Sequence, residues 1–101
     1  NQVLADLGSD LHVDRDADLH MDMNYYAPGY EQPNEKASEA IKMLARLEGL
    51  FVDPVYTGKA LAGLIDHIRT GKVEQGSNVV FWHTGGATAL FAEQQMLGDI
   101  F

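Results

Sequence analysis

Residues 45–66 read ARLEGLFVDPVYTGKALAGLID, and this stretch decides the fold that we predict. It closes one helix at Gly49, passes through a short apolar run and turns at Asp53-Pro54. Proline disfavours helix in the residue before it and cannot donate a hydrogen bond to a sheet. Thr57 is placed to cap a second helix. The stretch therefore predicts two helices joined by a polar turn.

Both helices carry a regular apolar stripe. The first follows Asn34, a good N-cap residue, and the second ends at Gly71. The stripe positions are Ala37, Ala40, Ile41, Leu44, Ala45 and Leu47 in the first helix, and Leu61, Leu64, Ile65 and Ile68 in the second. Because apolar residues at this spacing share one face of a helix, we expect each helix to bury one face.

The flanking segments predict an α/β fold. Residues 1–8 look like the end of a helix with Gly8 as its stop, and residues 19–26 alternate as a strand with one apolar face. Residues 78–83 form a nearly continuous apolar run, which is typical of a strand covered on both faces. A glycine turn and a helix over 87–96 follow. We expect residues 1–101 to form part of one domain.

Composition excludes several classes of function. The chain has 101 residues, of which 46% are hydrophobic, and its formal charge of -8 disfavours binding to nucleic acid or to anionic membranes. No window holds the ~18 apolar residues of a membrane span. The absence of Cys excludes disulfides, thiolate metal sites and a Cys nucleophile within this sequence. We expect a cytoplasmic protein.

Three junctions between predicted strands and helices are candidates for a ligand site, because backbone N–H groups face the opening there. They are the loop with Tyr30, the turn with Tyr56 and the turn over 83–86. By pattern alone, the more common explanations are structural: a tight turn for the double glycine, a core aromatic for Tyr56 and a cap for Thr57. The spacing leaves both interpretations open.

Metal ligation is not expected. The four histidines, His12, His20, His67 and His83, lack the spacing of a helical metal pair. The acidic residues Asp14, Asp16 and Asp18 begin like a calcium loop, but the glycine and glutamate that such a loop requires are missing. We expect them to form a solvated loop, and we expect His83 to shape the glycine turn.

Three motifs occur together in a family-like order: APGY at 27–30 with PNE at 33–35, the stretch 45–66, and HTGGATALF at 83–91. Between about Met23 and Phe91 the sequence resembles the D-cysteine desulfhydrase and aminocyclopropane-carboxylate deaminase family. The resemblance implies a pyridoxal-phosphate enzyme of fold type II, like the tryptophan synthase β subunit. This chain would belong to the larger domain, with a parallel twisted sheet flanked by helices, in a homodimer.

The resemblance also indicates what the sequence lacks. In the family, the Schiff-base lysine belongs to an upstream segment similar to Gly-Gly-Asn-Lys, and a glycine-rich loop binds the phosphate; neither occurs here. The chain then corresponds to the carboxyl-terminal portion of such an enzyme and is expected to be inactive alone. Lys59 is not the equivalent lysine, and we expect it to be solvated or paired with a carboxylate.

Residue by residue, the resemblance assigns Tyr56 and Tyr30 as catalytic residues that line the cofactor and substrate pocket. It assigns Thr84, Thr57, Tyr56 and Gly85 as contacts of the cofactor. A tyrosine can stack on the pyridine ring, and its phenol can exchange a proton with the substrate. Thr84, at the predicted strand end, is the preferred partner of the ring nitrogen.

Two positions favour one branch of the family. The deaminase pattern has Glu where this chain has Thr57, and Leu where it has Thr84. A carboxylate favours a protonated ring nitrogen, whereas a threonine hydroxyl donates to an unprotonated one, which makes the cofactor a milder electron sink. A milder sink suffices for β-elimination of a thiolate.

The resemblance therefore implies a carbon-sulfur lyase that converts the small amino acid D-cysteine to pyruvate, hydrogen sulfide and ammonia. Two alternatives stay open. One is an aminocyclopropane-carboxylate deaminase or a broader D-amino-acid deaminase or lyase. The other is a non-catalytic binding module.

Overall fold

The computed structural model of the chain describes residues 1–25 and 34–92. Within these ranges the chain forms five helices: α1 Gln2–Asp6, α2 Arg15–Asp18, α3 Glu35–Glu48, α4 Thr57–Arg69 and α5 Ala89–Ala92. The long pair α3 and α4 packs together and forms the centre of the molecule.

Helix α3 has the ends that the sequence predicts. The Asn34 side chain accepts a hydrogen bond from the Ala37 N–H at 2.9 Å. At the other end Gly49 adopts φ 65°, and its N–H donates to the Ala45 carbonyl at 3.1 Å. A polar N-cap and a left-handed glycine satisfy backbone groups that a helix end leaves free. Both predictions are confirmed.

Helix α4 begins differently from the prediction. Thr57 is its first helical residue rather than its cap, and Tyr56, at the cap position, makes no side-chain cap bond. The Asp53 carboxylate accepts hydrogen bonds from the first N–H groups instead. The predicted stop is confirmed, because Gly71 has φ 80° and donates to the Ile68 carbonyl at 3.2 Å.

The amino-terminal segment is partly as predicted. Helix α1 is followed by Gly8 at φ 74°, which confirms a helix stopped there. The acidic segment is exposed as expected, but it contains the short helix α2 and is not simply a loop. Asp14 caps this turn by accepting from the N–H groups of Asp16 and Ala17. A single aspartate cap thus stabilises a turn that has no apolar periodicity.

The predicted strands are not formed in the described part of the chain: neither 19–25 nor 78–83 has strand structure. Val80 and Trp82 are 86% and 80% exposed, so the expectation of a strand covered on both faces is wrong here. A strand requires a hydrogen-bonded neighbour, and the described residues contain no strand to pair with. Tyr26 and the segment 93–96 of the predicted last helix lie outside the described residues.

The core lies between α3, α4 and the segments that flank α4. Its buried members are Ala40, Ile41, Val52, Leu61, Ala62 and Leu90, and half-buried Leu44, Phe51, Leu64, Ile65 and Phe81 pack against them. The stripe prediction is thus largely confirmed, although Leu47 and Ile68 are exposed. Phe81 is the apolar residue of 79–82 that packs against this core.

Gly58 brings the two helices close together at the start of α4. A Cβ atom added there would lie 2.5 Å from the Asp53 carbonyl oxygen and 2.9 Å from Ile41 Cδ1. The Gly58 N–H also donates to that carbonyl, at 2.7 Å. Both the turn and the helix packing therefore require a residue without a side chain.

A polar cluster joins residues 22–25 to the other end of α4. Tyr25 donates to Asp66 Oδ2 at 2.6 Å, and Lys36 Nζ lies 3.1 Å from the same oxygen. His67 Nε2 lies 2.8 Å from Asp22 Oδ2, and the Tyr25 and His67 rings meet edge to face. This cluster fixes the segment that leads into residues 26–33.

The cluster shifts the pKa of its members in opposite directions. The hydrogen bond from Tyr25, followed by that from Lys36, lowers the pKa of Asp66. The same bond to Asp66 raises the pKa of Tyr25 to about 12. The neutral phenol and the ionised carboxylate stabilise each other in the folded state.

None of the helices in the described ranges is long and apolar enough to cross a membrane.

Gly58→Ala is expected to destabilise the chain, although alanine normally favours a helix by up to ~1 kcal/mol. The added methyl group overpacks the contact with Asp53 and Ile41, which costs about 1–3 kcal/mol. Urea denaturation gives the free energy of unfolding. The matched control is Ala60→Gly, which reports propensity alone at an exposed position of the same helix. A stabilised Gly58→Ala protein would contradict the packing described.

Tyr25→Phe is expected to lower the free energy of unfolding between about pH 5 and pH 9. The depressed pKa of Asp66 means that its contribution is lost as the pH falls through that pKa. The raised pKa of Tyr25 means that its contribution is lost as the pH rises from 10 through about 12. The difference from the wild type should therefore shrink at both extremes.

Lys36→Met is the control, because it removes the other partner of Asp66 but keeps the phenol. It should retain the alkaline loss of stability that Tyr25→Phe abolishes. An unchanged alkaline profile in Tyr25→Phe would contradict the assignment.

Candidate active site

The turn before α4 is organised around the Asp53 carboxylate. Oδ1 accepts from the N–H groups of Val55 at 2.8 Å and Tyr56 at 2.7 Å. Oδ2 accepts from the Thr57 N–H at 3.1 Å and from the Thr57 hydroxyl. The residue is only 1% exposed. Four donors thus replace the water that a buried carboxylate loses.

These contacts keep Asp53 ionised. Burial by itself raises the pKa of the carboxyl, but the hydrogen bonds from the Thr57 hydroxyl and the three backbone N–H groups outweigh it, and the pKa of Asp53 is lowered. The negative charge also lies at the amino end of α4, where the helix dipole favours it. Because Asp53 occupies these N–H groups, this helix end is closed to the phosphate of a cofactor.

The glycine turn packs directly against Asp53. Gly86 has φ 83°, and a Cβ added to it would lie 2.9 Å from Asp53 Oδ2. Gly85 has φ 106°, also in the region that favours glycine. Two separate stretches of the chain, 53–57 and 83–86, therefore meet at one carboxylate.

His83 fixes the other end of the glycine turn. Its Nε2 lies 2.7 Å from the Phe51 carbonyl oxygen, and its Nδ1 accepts from the Gly85 N–H at 3.0 Å. Since a carbonyl oxygen only accepts, Nε2 carries the proton and the ring is neutral in this arrangement. The expectation that His83 shapes the turn is confirmed.

Thr57 and Thr84 lie in different environments. Thr57 is 2% exposed, its hydroxyl donates to Asp53, and it accepts from the Asp53 N–H at 2.9 Å. A hydroxyl has one proton, so Thr57 cannot donate to a ring nitrogen while this bond is intact. Thr84 is exposed, between His83 and Gly85 at the tip of the turn.

Tyr56 is 61% exposed and lines a cavity of about 520 Å³. The other lining residues are Asp22, Tyr25, Val55, Lys59, Ala60, Gly63, Leu64 and His67. The interpretation of Tyr56 as a core aromatic is therefore wrong. Thr84 does not line this cavity, and the structure joins Tyr56 and Thr84 through Asp53, whose carboxylate meets both turns.

Tyr30 lies outside the described residues, so its predicted place beside Tyr56 stays a prediction. Lys59 is only 7% exposed, so of its two expected environments the solvated one is wrong, and pairing with a carboxylate stays a prediction. Residues 1–25 and 34–92 contain no cluster of three potential metal ligands.

The residues present fit one side of a pyridoxal phosphate molecule. An exposed threonine hydroxyl can donate to the ring nitrogen, and an exposed tyrosine can contact the ring face or the substrate. Its phosphate would have to bind elsewhere, because Asp53 accepts from the N–H groups at the start of α4.

Sequence reasoning treated Asp53 only as part of a turn and missed its central position. A local signal was present, because an aspartate side chain in a turn accepts hydrogen bonds from backbone N–H groups two or three residues further on. The contact with Gly86, 33 positions later, has no such signal in the sequence.

Gly86→Ala is expected to destabilise the chain more than Gly76→Ala. The two glycines have nearly the same backbone strain, with φ 83° and 85°, but the space around Gly76 is open. In both variants, an alanine in the left-handed conformation lowers the free energy of unfolding by up to about 1–2 kcal/mol. Only Gly86→Ala also pushes the turn away from Asp53. Equal losses in urea denaturation would contradict close packing of Gly86 against the carboxylate.

One protein family matches most of this chain. Residues 4–85 match the family described as "Pyridoxal-phosphate dependent enzyme". The matched range includes Asp53, Tyr56, Thr57 and Thr84, and it ends one residue before Gly86.

Curated relatives are similar over most of this chain. The chain is 50% identical over 86 residues to proteins named D-cysteine desulfhydrase from Salmonella typhi, Salmonella newport (strain SL254) and Salmonella heidelberg (strain SL476). These matches cover 85% of this chain but 26% of each relative. The chain thus spans about a quarter of their length. The match over 4–85 shows that the chain belongs to the family of pyridoxal-phosphate dependent enzymes.

Proposed function

We propose that the protein to which these residues belong is a D-cysteine desulfhydrase, which converts D-cysteine and water to pyruvate, hydrogen sulfide and ammonia. The observation that carries the proposal is the 50% sequence identity, over 86 residues, to proteins of that name. The threonines at 57 and 84, where the deaminase pattern has Glu and Leu, favour the same substrate class. A deaminase of aminocyclopropane-carboxylate is the alternative.

Bound pyridoxal phosphate would supply the electron sink that makes the substrate α-proton acidic. In this proposal the Thr84 hydroxyl donates to the ring nitrogen and orients the ring. Support comes from its exposure, whereas the Thr57 hydroxyl is engaged by Asp53. Thr57 then contributes to the cofactor site through the turn that it stabilises.

Tyr56 is proposed to contact the substrate. Its exposed phenol can hold a proton close to the sulfur that leaves, so that the thiolate departs as a neutral thiol. Elimination breaks the Cα–H and Cβ–S bonds, and water then releases ammonia and pyruvate. Tyr30 is proposed to line the same pocket, and Gly85 to let the backbone approach the ring closely.

The lysine that binds the cofactor is proposed to lie outside these 101 residues, which would therefore be inactive alone. Lys59 is not assigned this role, because the resemblance places the lysine in a motif that this sequence lacks. We also propose a cytoplasmic homodimer. The absence of Cys suits a reducing compartment, and exposed apolar side chains such as Val80 and Trp82 call for cover by further protein.

Steady-state assays of the full-length protein with D-cysteine and aminocyclopropane-carboxylate test the proposal. We expect turnover of D-cysteine, detected as sulfide and pyruvate. Thr84→Val should lower kcat/KM about 2–10-fold, the effect of losing one hydrogen bond between neutral groups of ~0.5–1.5 kcal/mol.

Thr88→Val is the matched control, because Thr88 is also exposed and lies four residues further on. It should retain the wild-type kcat/KM. A preference for aminocyclopropane-carboxylate would reject the desulfhydrase in favour of the deaminase. Turnover of neither substrate would favour a different lyase or the non-catalytic alternative.

A further inference from the structure

We propose that Asp53 is a positioning residue that aligns Tyr56 and Thr84 with each other, an inference that rests on the proposed site of the desulfhydrase. The carboxylate touches neither substrate nor cofactor in this proposal. It acts by fixing the two turns from which the functional side chains project.

The first contact set fixes the turn that carries Tyr56. The Tyr56 N–H and its two neighbours, Val55 and Thr57, all donate to Asp53. The Thr57 hydroxyl closes the turn by donating to the carboxylate and accepting from the Asp53 N–H. The backbone of Tyr56 is therefore held on both sides, although its ring is exposed.

The second contact fixes the turn that carries Thr84. Gly86 lies so close to the carboxylate that a single added methyl group would approach Oδ2 to 2.9 Å. At its other end the turn is held by the bond from His83 to the Phe51 carbonyl, two residues before Asp53. Thr84 thus lies between two anchors, both of which belong to the segment 51–53.

An ordinary helix cap would not require this arrangement. A cap lies at the surface and needs one or two N–H contacts, whereas Asp53 is nearly fully buried, accepts from four donors and contacts a second segment. A displacement of this carboxylate moves both turns together. The energetic effects of Tyr56 and Thr84 should accordingly depend on Asp53.

Asp53→Asn is the sharpest probe, because it keeps the shape of the side chain. An amide has only one acceptor oxygen. Its NH₂ group takes the place of the second carboxylate oxygen, where it faces hydrogen-bond donors. With the NH₂ at the Oδ1 position the Val55 and Tyr56 contacts are lost; at the Oδ2 position the Thr57 N–H contact is lost and the Thr57 hydroxyl changes from donor to acceptor. The full-length protein is used throughout, with pyridoxal phosphate dissociation measured by the change in protein fluorescence on titration.

The experiment is a double-mutant cycle of Asp53→Asn with Thr84→Val. In the wild-type background Thr84→Val should raise the cofactor Kd about tenfold, and in the Asp53→Asn background less than about threefold, as expected for coupled residues. Thr88→Val serves as the uncoupled control. A merely structural Asp53 would lower the thermal midpoint but leave the Thr84→Val factor the same in both backgrounds, which would overturn the proposal.

A second variant covers the case in which Asp53→Asn fails to fold. Gly86→Ala displaces the glycine turn and leaves Asp53 unchanged, so it should also raise the cofactor Kd, whereas Gly76→Ala should not. An unchanged Kd in Gly86→Ala would overturn the proposal.

The readout separates this inference from the proposed function. Coupling on cofactor binding supports the positioning role even if the preferred substrate is not D-cysteine. Turnover of D-cysteine without coupling retains the proposed function and rejects the role of Asp53. If Thr84→Val alone leaves the cofactor Kd unchanged, Thr84 makes no cofactor contact that Asp53 could position, and the inference is rejected.

Discussion

The contact of the buried Asp53 carboxylate with its own turn and with Gly86 is the constraint on which the candidate site depends. A carboxylate removed from water is costly unless donors surround it, and here four donors come from three residues, Val55, Tyr56 and Thr57. This local arrangement ends the apolar run at Val52 and starts α4. Because the carboxylate is buried, the glycine turn that covers it must come close, and Gly86 allows that approach.

The same constraint separates two threonines that look equivalent in the sequence. Thr57 is buried and donates its only hydroxyl proton to Asp53, whereas Thr84 is exposed on the turn that packs against Asp53. The two positions that distinguish this chain from the deaminase pattern therefore have different environments. One shapes the turn, and the other is free to face a ligand. Burial and hydrogen-bond partners make this distinction, not residue type.

Elements that depend on neighbours in the chain were predictable. Asn34, Gly49 and Gly71 mark helix ends because caps and left-handed glycines act within one turn of the backbone. The motifs of the family were also sufficient to predict membership, which the match over 4–85 confirms. The predicted strand at 78–83 failed because a strand depends on a partner that the described residues do not provide. The strand propensity of Val79 and Val80 cannot replace a neighbouring strand.

The sequence by itself determined the two long helices and the family, because periodicity, capping and motif order are written along the chain. Only the tertiary structure decided that Asp53 joins the turn of Tyr56 to the turn of Thr84, and that His83 holds the latter against Phe51. These contacts link residues about thirty positions apart. They arise from the packing of α3 against α4, which brings the start of α4 and the glycine turn onto one core.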